Sequence, residues 1–210
     1  MAKQIAISAR GLRATDHGPV RLKLEPVGSD QAKVLFSVDY SRAPVPDLSY
    51  FADYCDVRRR RSWVDLIFGK LTDSGTELRT KVEIAFPDSF FSRQLWGSSG
   101  SLRETMTKFV GENAITPFRI PESKEKVQTF RANNVFIALQ GEESVLDFYY
   151  LSAKELYMVR NYPERESTLL PVIRVCTDTF LLEAFFRLCE PLVAGPEEGI
   201  LEAADTEESV

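Results

Sequence analysis

The sequence predicts an α+β protein: two strand-strand-strand-helix repeats with antiparallel sheets, preceded by an N-terminal β extension. Three observations predict it. Apolar and polar residues alternate in runs on either side of short polar turns, the period-2 mark of a sheet with a buried face. Blocks of these runs recur in the same order further along the chain. In both places the third run passes directly into a helical stretch that opens on residues suited to a first turn.

The first repeat is placed at 50–110 and the second at 129–194. FADYCDV at 51–57 aligns with RANNVFI at an offset of 80, and WVDLIF at 63–68 aligns with VLDFYY at 82, setting Asp65 on Asp147. VEIAFPDSFFSRQLW at 82–96 aligns with VIRVCTDTFLLEAFF at 90, setting Asp88 on Asp178. Strands are expected at 50–58 and 130–139, at 62–71 and 145–152, and at 77–86 and 168–176. Val64, Leu66 and Phe68 alternate with Asp65 and Ile67 along the second of these. The two repeats are expected to overlie one another in the manner of a two-fold dimer folded into one chain.

The remaining regions frame the repeats. Residues 1–49 hold the runs IAISA, VRLKLEPV and KVLFSVDY, expected to add strands to the first repeat, and then the Pro-rich connection to it. Two prolines and a charged run mark 111–128 as a linker. The acidic, aromatic-free tail at 195–210 has the composition of a disordered segment.

Composition narrows the function classes. The chain is 44% hydrophobic with 14 Phe, enough for a packed core, and its net charge of −5 leaves no basic field over the whole molecule. No apolar run reaches the roughly 20 residues of a membrane span, and the first residues lack a signal core. Cys55, Cys176 and Cys189 are odd in number and widely spaced, which favours buried thiols over a disulfide framework or zinc site. A cytoplasmic protein without membrane contact is expected.

Phe51-Ala52-Asp53, Val64-Asp65-Leu66 with Phe68, and Phe86-Pro87-Asp88 carry a family likeness, as do Arg131-Ala132-Asn133, Val145-Leu146-Asp147-Phe148 and Cys176-Thr177-Asp178. The chain resembles a tandem copy of a short bacterial domain family of uncharacterised function. The family pattern is aromatic-Ala-Asn, a Phe/Val-x-Leu-Asp-Phe strand, then a strand entering a helix. The resemblance covers roughly 120 residues. Asp53 stands where the family has Asn, and Arg131 where it has an aromatic. The resemblance implies a fold and a bacterial or phage setting, and no catalytic residue.

Little in the chain points to catalysis. The single histidine, His17, sits in turn composition, and no phosphate-loop, zinc-protease or nucleophile-elbow pattern occurs. Asp53, Asp56 and Asp65 fall on neighbouring strands, where they either converge on a divalent cation or line a solvated face. A carboxylate-dependent metal enzyme is the weakest reading, and no cofactor or metal is expected.

Two features bear on partners. Arg58, Arg59, Arg60 and Arg61 occupy the turn between the first two strands, where the second repeat has Gln140-Gly141-Glu142-Glu143. The arginines are therefore not needed for folding, and as exposed charges they are expected to add less than about half a kcal/mol. Their planar forks suit phosphate, with Trp63 placed either to stack on a base or to join the core; they also suit an acidic protein surface, or are no more than the solvated tip of a hairpin. This makes a nucleic-acid-binding accessory protein the alternative function.

The leading function is a non-catalytic assembly or adaptor subunit that binds protein partners or itself. The helix at 178–192 has only Glu183, Arg187 and Glu190 on its polar stripe and is apolar elsewhere, so it needs two burial partners. Gly97-Ser98-Ser99-Gly100 is expected to break the first repeat's helix, leaving Leu182, Phe186 and Cys189 as the partner surface.

Overall fold

The structure, a computed structural model, describes residues 20–27, 30–38, 40–96, 99–118, 120, 127–162 and 166–193. The strands are β1 (Val20–Val27), β2 (Asp30–Val38), β3 (Ser49–Phe51), β4 (Tyr54–Arg60), β5 (Trp63–Leu71), β6 (Leu78–Pro87), β7 (Gln128–Arg131), β8 (Asn134–Gln140), β9 (Glu143–Tyr150), β10 (Glu166–Ser167) and β11 (Leu170–Asp178). The helices are α1 (Asp88–Phe90), continued by a π-helical stretch Phe91–Trp96, then α2 (Gly100–Val110), α3 (Ala153–Asn161) and α4 (Thr179–Val193).

Two four-stranded sheets, ordered β4-β5-β6-β7 and β8-β9-β11-β3, share one core. The α+β class is as the sequence predicts, but the sheets are mixed. The expected single strand at 50–58 is two strands in different sheets. β3 pairs in parallel with β11 of the second sheet, while β4 pairs with β5 of the first. The expected strand at 130–139 divides in the same way. β7 pairs in parallel with β6 of the first sheet, and β8 pairs with β9 of the second.

Consecutive amides mark each crossing. The Ala52 N–H donates to the Cys176 carbonyl (2.9 Å) and the Asp53 N–H to the Gly69 carbonyl (3.0 Å). The Ala132 N–H donates to Ala85 (3.2 Å) and the Asn133 N–H to Tyr149 (3.0 Å). Ala52 and Ala132 are buried where the backbone passes between sheets, which leaves little room for a larger side chain. Asp53 and Asn133 then terminate the neighbouring strand, accepting from the backbone N–H of Leu71 (2.6 Å) and Leu151 (2.8 Å). The Ala-Asp/Asn pair of the sequence motif is thus a crossing device. An extended chain keeps its period-2 pattern on both sides of such a crossing, so alternation alone does not reveal it.

Hydrogen-bond partners correct the alignment of the halves. Tyr54 faces Gly69 and Asn134 faces Tyr149, each 80 residues on, so Asp65 corresponds to Val145 and not to Asp147. A slip of two residues preserves the face, so alternation does not distinguish the two alignments. In the third strand Leu66 faces Ile84 and Leu146 faces Val175, a spacing of 91, so Asp88 corresponds to Thr179 and not to Asp178. A register irregularity between Pro171 and Ile173 accompanies the one-residue difference.

Three additions shape the surface around the sheets. β1 and β2 form a three-stranded sheet with β10, where the sequence analysis expected strands added to the first repeat. Behind them Tyr40 packs its ring on Phe136 and Tyr149 at 5.3 and 5.6 Å, over the outside of the second sheet. From the segment read as a linker, Ile120 is buried with Tyr54, Ile67 and Leu78 of the first sheet. α3 was not foreseen, although Ser152 and Glu155 form the Ser-x-x-Glu start signal; the Ser152 hydroxyl accepts from the Glu155 N–H at 3.2 Å.

α4 lies against β4 and α2, and its buried face joins the shared core. Phe185 packs its ring 5.3 Å from Phe68, and Phe186 packs 6.3 Å from Trp96. The π-helical stretch ends at Trp96 and α2 begins at Gly100; Gly97 and Ser98, where the break is expected, lie outside the described residues. α4 is not left uncovered. Leu182 and Cys189 are 0% exposed and Phe186 is 3% exposed, so the partner surface expected there lies in the interior. The second burial partner that the helix demanded is the first half of the same chain, with Leu95 and Met106 in the same cluster. Among the described residues no helix is long and apolar enough to cross a membrane. The run IAISA, His17 and the tail at 195–210 lie outside the described residues.

Candidate functional site

With α4 enclosed, chemistry and recognition fall to the outer faces of the sheets. Cross-strand register places matched rows on the two faces. On the first sheet Arg58, Asp65, Ala85 and Arg131 form one row across all four strands. On the second sheet the matched row is Ala138, Val145, Cys176 and Phe51. Beyond these rows, toward the hairpin tips, stand Arg60, Trp63 and Pro87 on the first sheet and Gln140, Glu143 and Asp178 on the second.

The arginines do not stand free in solvent as a group. Arg58 meets Asp56 at 3.2 Å, one terminal nitrogen of Arg59 donates to both oxygens of Asp88 at 2.7 and 2.9 Å, and Arg60 meets Asp65 at 2.5 Å. Arg59 thereby ties the hairpin to the start of α1. Trp63 has the Arg131 guanidinium over its ring at 5.7 Å, on the outer face, so it is neither in the core nor an open base platform. Only Arg61 has no carboxylate partner among the described residues, and it sits at the tip with φ 45°. The matched residue is Gly141 at φ 64°, where the left-handed conformation is free of Cβ strain. Holding arginine there costs about 1 kcal/mol, so its side chain is not at the tip for the sake of the fold.

The three aspartates do not converge. Asp53 bonds the Leu71 amide and Lys70, Asp56 bonds Arg58 and the Val57 amide, and Asp65 faces Arg60. Among the described residues no group of three potential metal ligands occurs. Burial raises the Asp65 carboxyl above its ordinary range, and Arg60 opposes that shift.

This overturns the expectation that the arginines are energetically idle. Replacing Arg58 to Arg61 by Ser takes the Arg60 guanidinium from the buried Asp65 and is expected to lower the unfolding free energy by about 2 kcal/mol or more. The pH dependence has a definite sign. Without Arg60 the Asp65 carboxyl rises further in the folded state, so the deficit contributed by Asp65 is fullest at neutral pH. It narrows as pH falls through the folded-state value and vanishes below the unfolded one. Urea unfolding of parent and variant between pH 7 and about pH 4 measures this.

The second sheet's outer face has a different character. Its inner part is covered: Asp147 is buried under a bidentate ion pair with Arg174 at 2.6 and 2.7 Å, beside the Tyr40–Tyr149 contact. Outside that cover the apolar row emerges. Ala138, Val145 and Cys176 are half-buried, and Phe51 is 68% exposed, with Leu48 and Val45 also exposed on the adjoining chain. Burial raises the Cys176 thiol, so the row carries no thiolate at neutral pH. The other two cysteines are interior: burial pushes Cys55 up to about 12 and raises Cys189 well above the usual thiol range. Exposed acids Glu142, Glu143 and Asp178 border the row, with Glu143 and Asp178 directly opposite each other.

Sequence reasoning missed Phe51, Val145 and Cys176 as a group. Each was legible as part of an alternating strand, but nothing in the alternation said that β3 would stand beside β11. No family model matches the chain, and neither does any curated protein or any solved structure.

Proposed function

We propose that this protein is a non-catalytic assembly or adaptor subunit of the cytoplasm, which binds protein through the outer face of its second sheet. The apolar row Ala138–Val145–Cys176–Phe51 carries the reading. The first sheet holds charged residues at three of the four matched positions, so the architecture does not require apolar residues there. Four apolar residues in one outer row, three of them half-buried and the fourth a largely exposed Phe, fit a covered surface better than a bare one. The resemblance to short bacterial domains supports a bacterial or phage-encoded complex. The recurring registers of the two halves support reading them as duplicates of one such domain.

The nucleic-acid alternative keeps less support, because Arg58, Arg59 and Arg60 already face carboxylates and Trp63 is under Arg131.

Replacing Phe51 by Glu tests the proposal. In extracts of cells cross-linked before lysis, the parent is expected to elute from size exclusion above the mass of a single 23.8 kDa chain. The Phe51→Glu variant is expected to elute as a single chain with unchanged circular dichroism. A parent that elutes alone, or a variant that stays in the larger species, overturns the reading.

A further inference from the structure

We propose that the occupant of this face is a second copy of the chain, whose Arg58–Arg61 hairpin lies across the apolar row. The inference rests on the protein-binding reading above and names its partner. Three observations point to it, the first being charge. Glu143 and Asp178 are opposed acids on adjacent strands, with Glu142 beside them at the turn, and all three are exposed. One Asp178 oxygen accepts from the Leu181 N–H at the start of α4 (2.5 Å), and its other oxygen is left to face Glu143. Like charges facing across a ladder repel, and a guanidinium set between them relieves that repulsion.

The second observation is where the complementary charge lies. The only run of four cations in the sequence is the first sheet's hairpin, at the position matched to this acidic tip. Arg60 is 64% exposed in its side chain, and among the described residues Arg61 has no carboxylate partner. The third is the backbone at Arg61, a non-glycine residue at φ 45° where the matched turn uses glycine. A basic side chain kept in a conformation that disfavours it is explained if the side chain has work outside its own chain.

The contact joins unlike sites. One copy gives its basic tip and the next gives its apolar, acid-rimmed row, so each added copy leaves one tip and one row open. Such a heterologous contact does not stop at two unless the rotation closes a ring. A patch built on four apolar residues belongs to the small, weak class of interfaces, so association is sought at about 100 μM protein. Its charged part is exposed and is screened at about 0.5 M salt.

Sedimentation velocity on the purified chain decides the matter. The parent is expected to grow in sedimentation coefficient with concentration and to lose that growth in high salt. Arg61→Gly removes the one arginine of the tip that has no carboxylate partner among the described residues, while adopting the residue that the matched turn already uses, so it keeps the fold; Phe51→Glu spoils the row. Each is expected to weaken self-association at least tenfold. Mixed one to one, they are expected to form dimers and nothing larger, because the intact tip of one meets the intact row of the other. A parent that sediments as a single chain throughout, or a mixture no more associated than its components, overturns the proposal. If the purified parent is a single chain while the species in cell extracts still depends on Phe51, a second copy is excluded and the protein-binding reading stands.

Discussion

Replacing Phe186 by Asp is expected to unfold the chain. The side chain is 3% exposed, packs against Trp96 at 6.3 Å and against Phe185 at 5.6 Å, and belongs to the shared core. Deleting a buried aromatic costs about 3–5 kcal/mol through lost contacts and the cavity left behind. An unpaired carboxylate in the same space adds several kcal/mol, or its partial relief by protonation. Against a total stability on the order of 5–15 kcal/mol for a domain, the sum leaves little or none of the folded state. Phe186→Leu, a smaller change of volume, is expected to keep the fold. Far-UV circular dichroism and urea titration separate the cases. A folded Phe186→Asp chain with altered oligomeric state would return α4 to the surface that the sequence alone suggested.

The second large effect is expected at a polar residue. Asn133 is buried and bonded at both ends of its side-chain amide: its NH2 donates to the Leu151 carbonyl at 2.8 Å. Its oxygen accepts from the Leu151 N–H at 2.8 Å and from Asn134 at 2.9 Å. Asn133→Leu leaves the Leu151 amide and the Asn134 side chain unsatisfied in the interior, a loss of about 3 kcal/mol or more. The matched Asp53 differs. It accepts from the Leu71 N–H at 2.6 Å but spends its other oxygen on the half-exposed Lys70 at 2.7 Å. Asp53→Asn keeps the backbone bond and trades a surface ion pair, so it is expected to change stability by less than about 1 kcal/mol. Urea midpoints give both values, and hydrogen exchange at the Leu151 amide reports the lost bond directly. Equal costs at the two sites would mean that the crossing does not depend on these bonds.

The sequence by itself determined the α+β class, the position of most elements and the need of α4 for two burial partners. These are local matters: alternation, turn composition and the width of an apolar stripe are written in neighbouring residues. Even Ser152 and Glu155 announced α3 to anyone looking for a capping box.

The tertiary structure alone decided which strands share a sheet. Tyr50 and Tyr54 lie four residues apart, yet β3 joins the second sheet and β4 the first, because Ala52 and Asp53 bond to different sheets through successive amides. That exchange puts Phe51 beside Cys176 and Arg131 beside Ala85, and so creates both outer rows. It also explains why α4 misled: a helix apolar on most of its circumference has the same sequence whether its second cover is a partner or its own chain. Periodicity says that a face is buried and is silent on what buries it, since the covering residues are distant in sequence. The same limit hid the ion pairs of the arginine hairpin. Asp88 reaches Arg59 across 29 positions only once β5 and β6 have brought the start of α1 beside the turn.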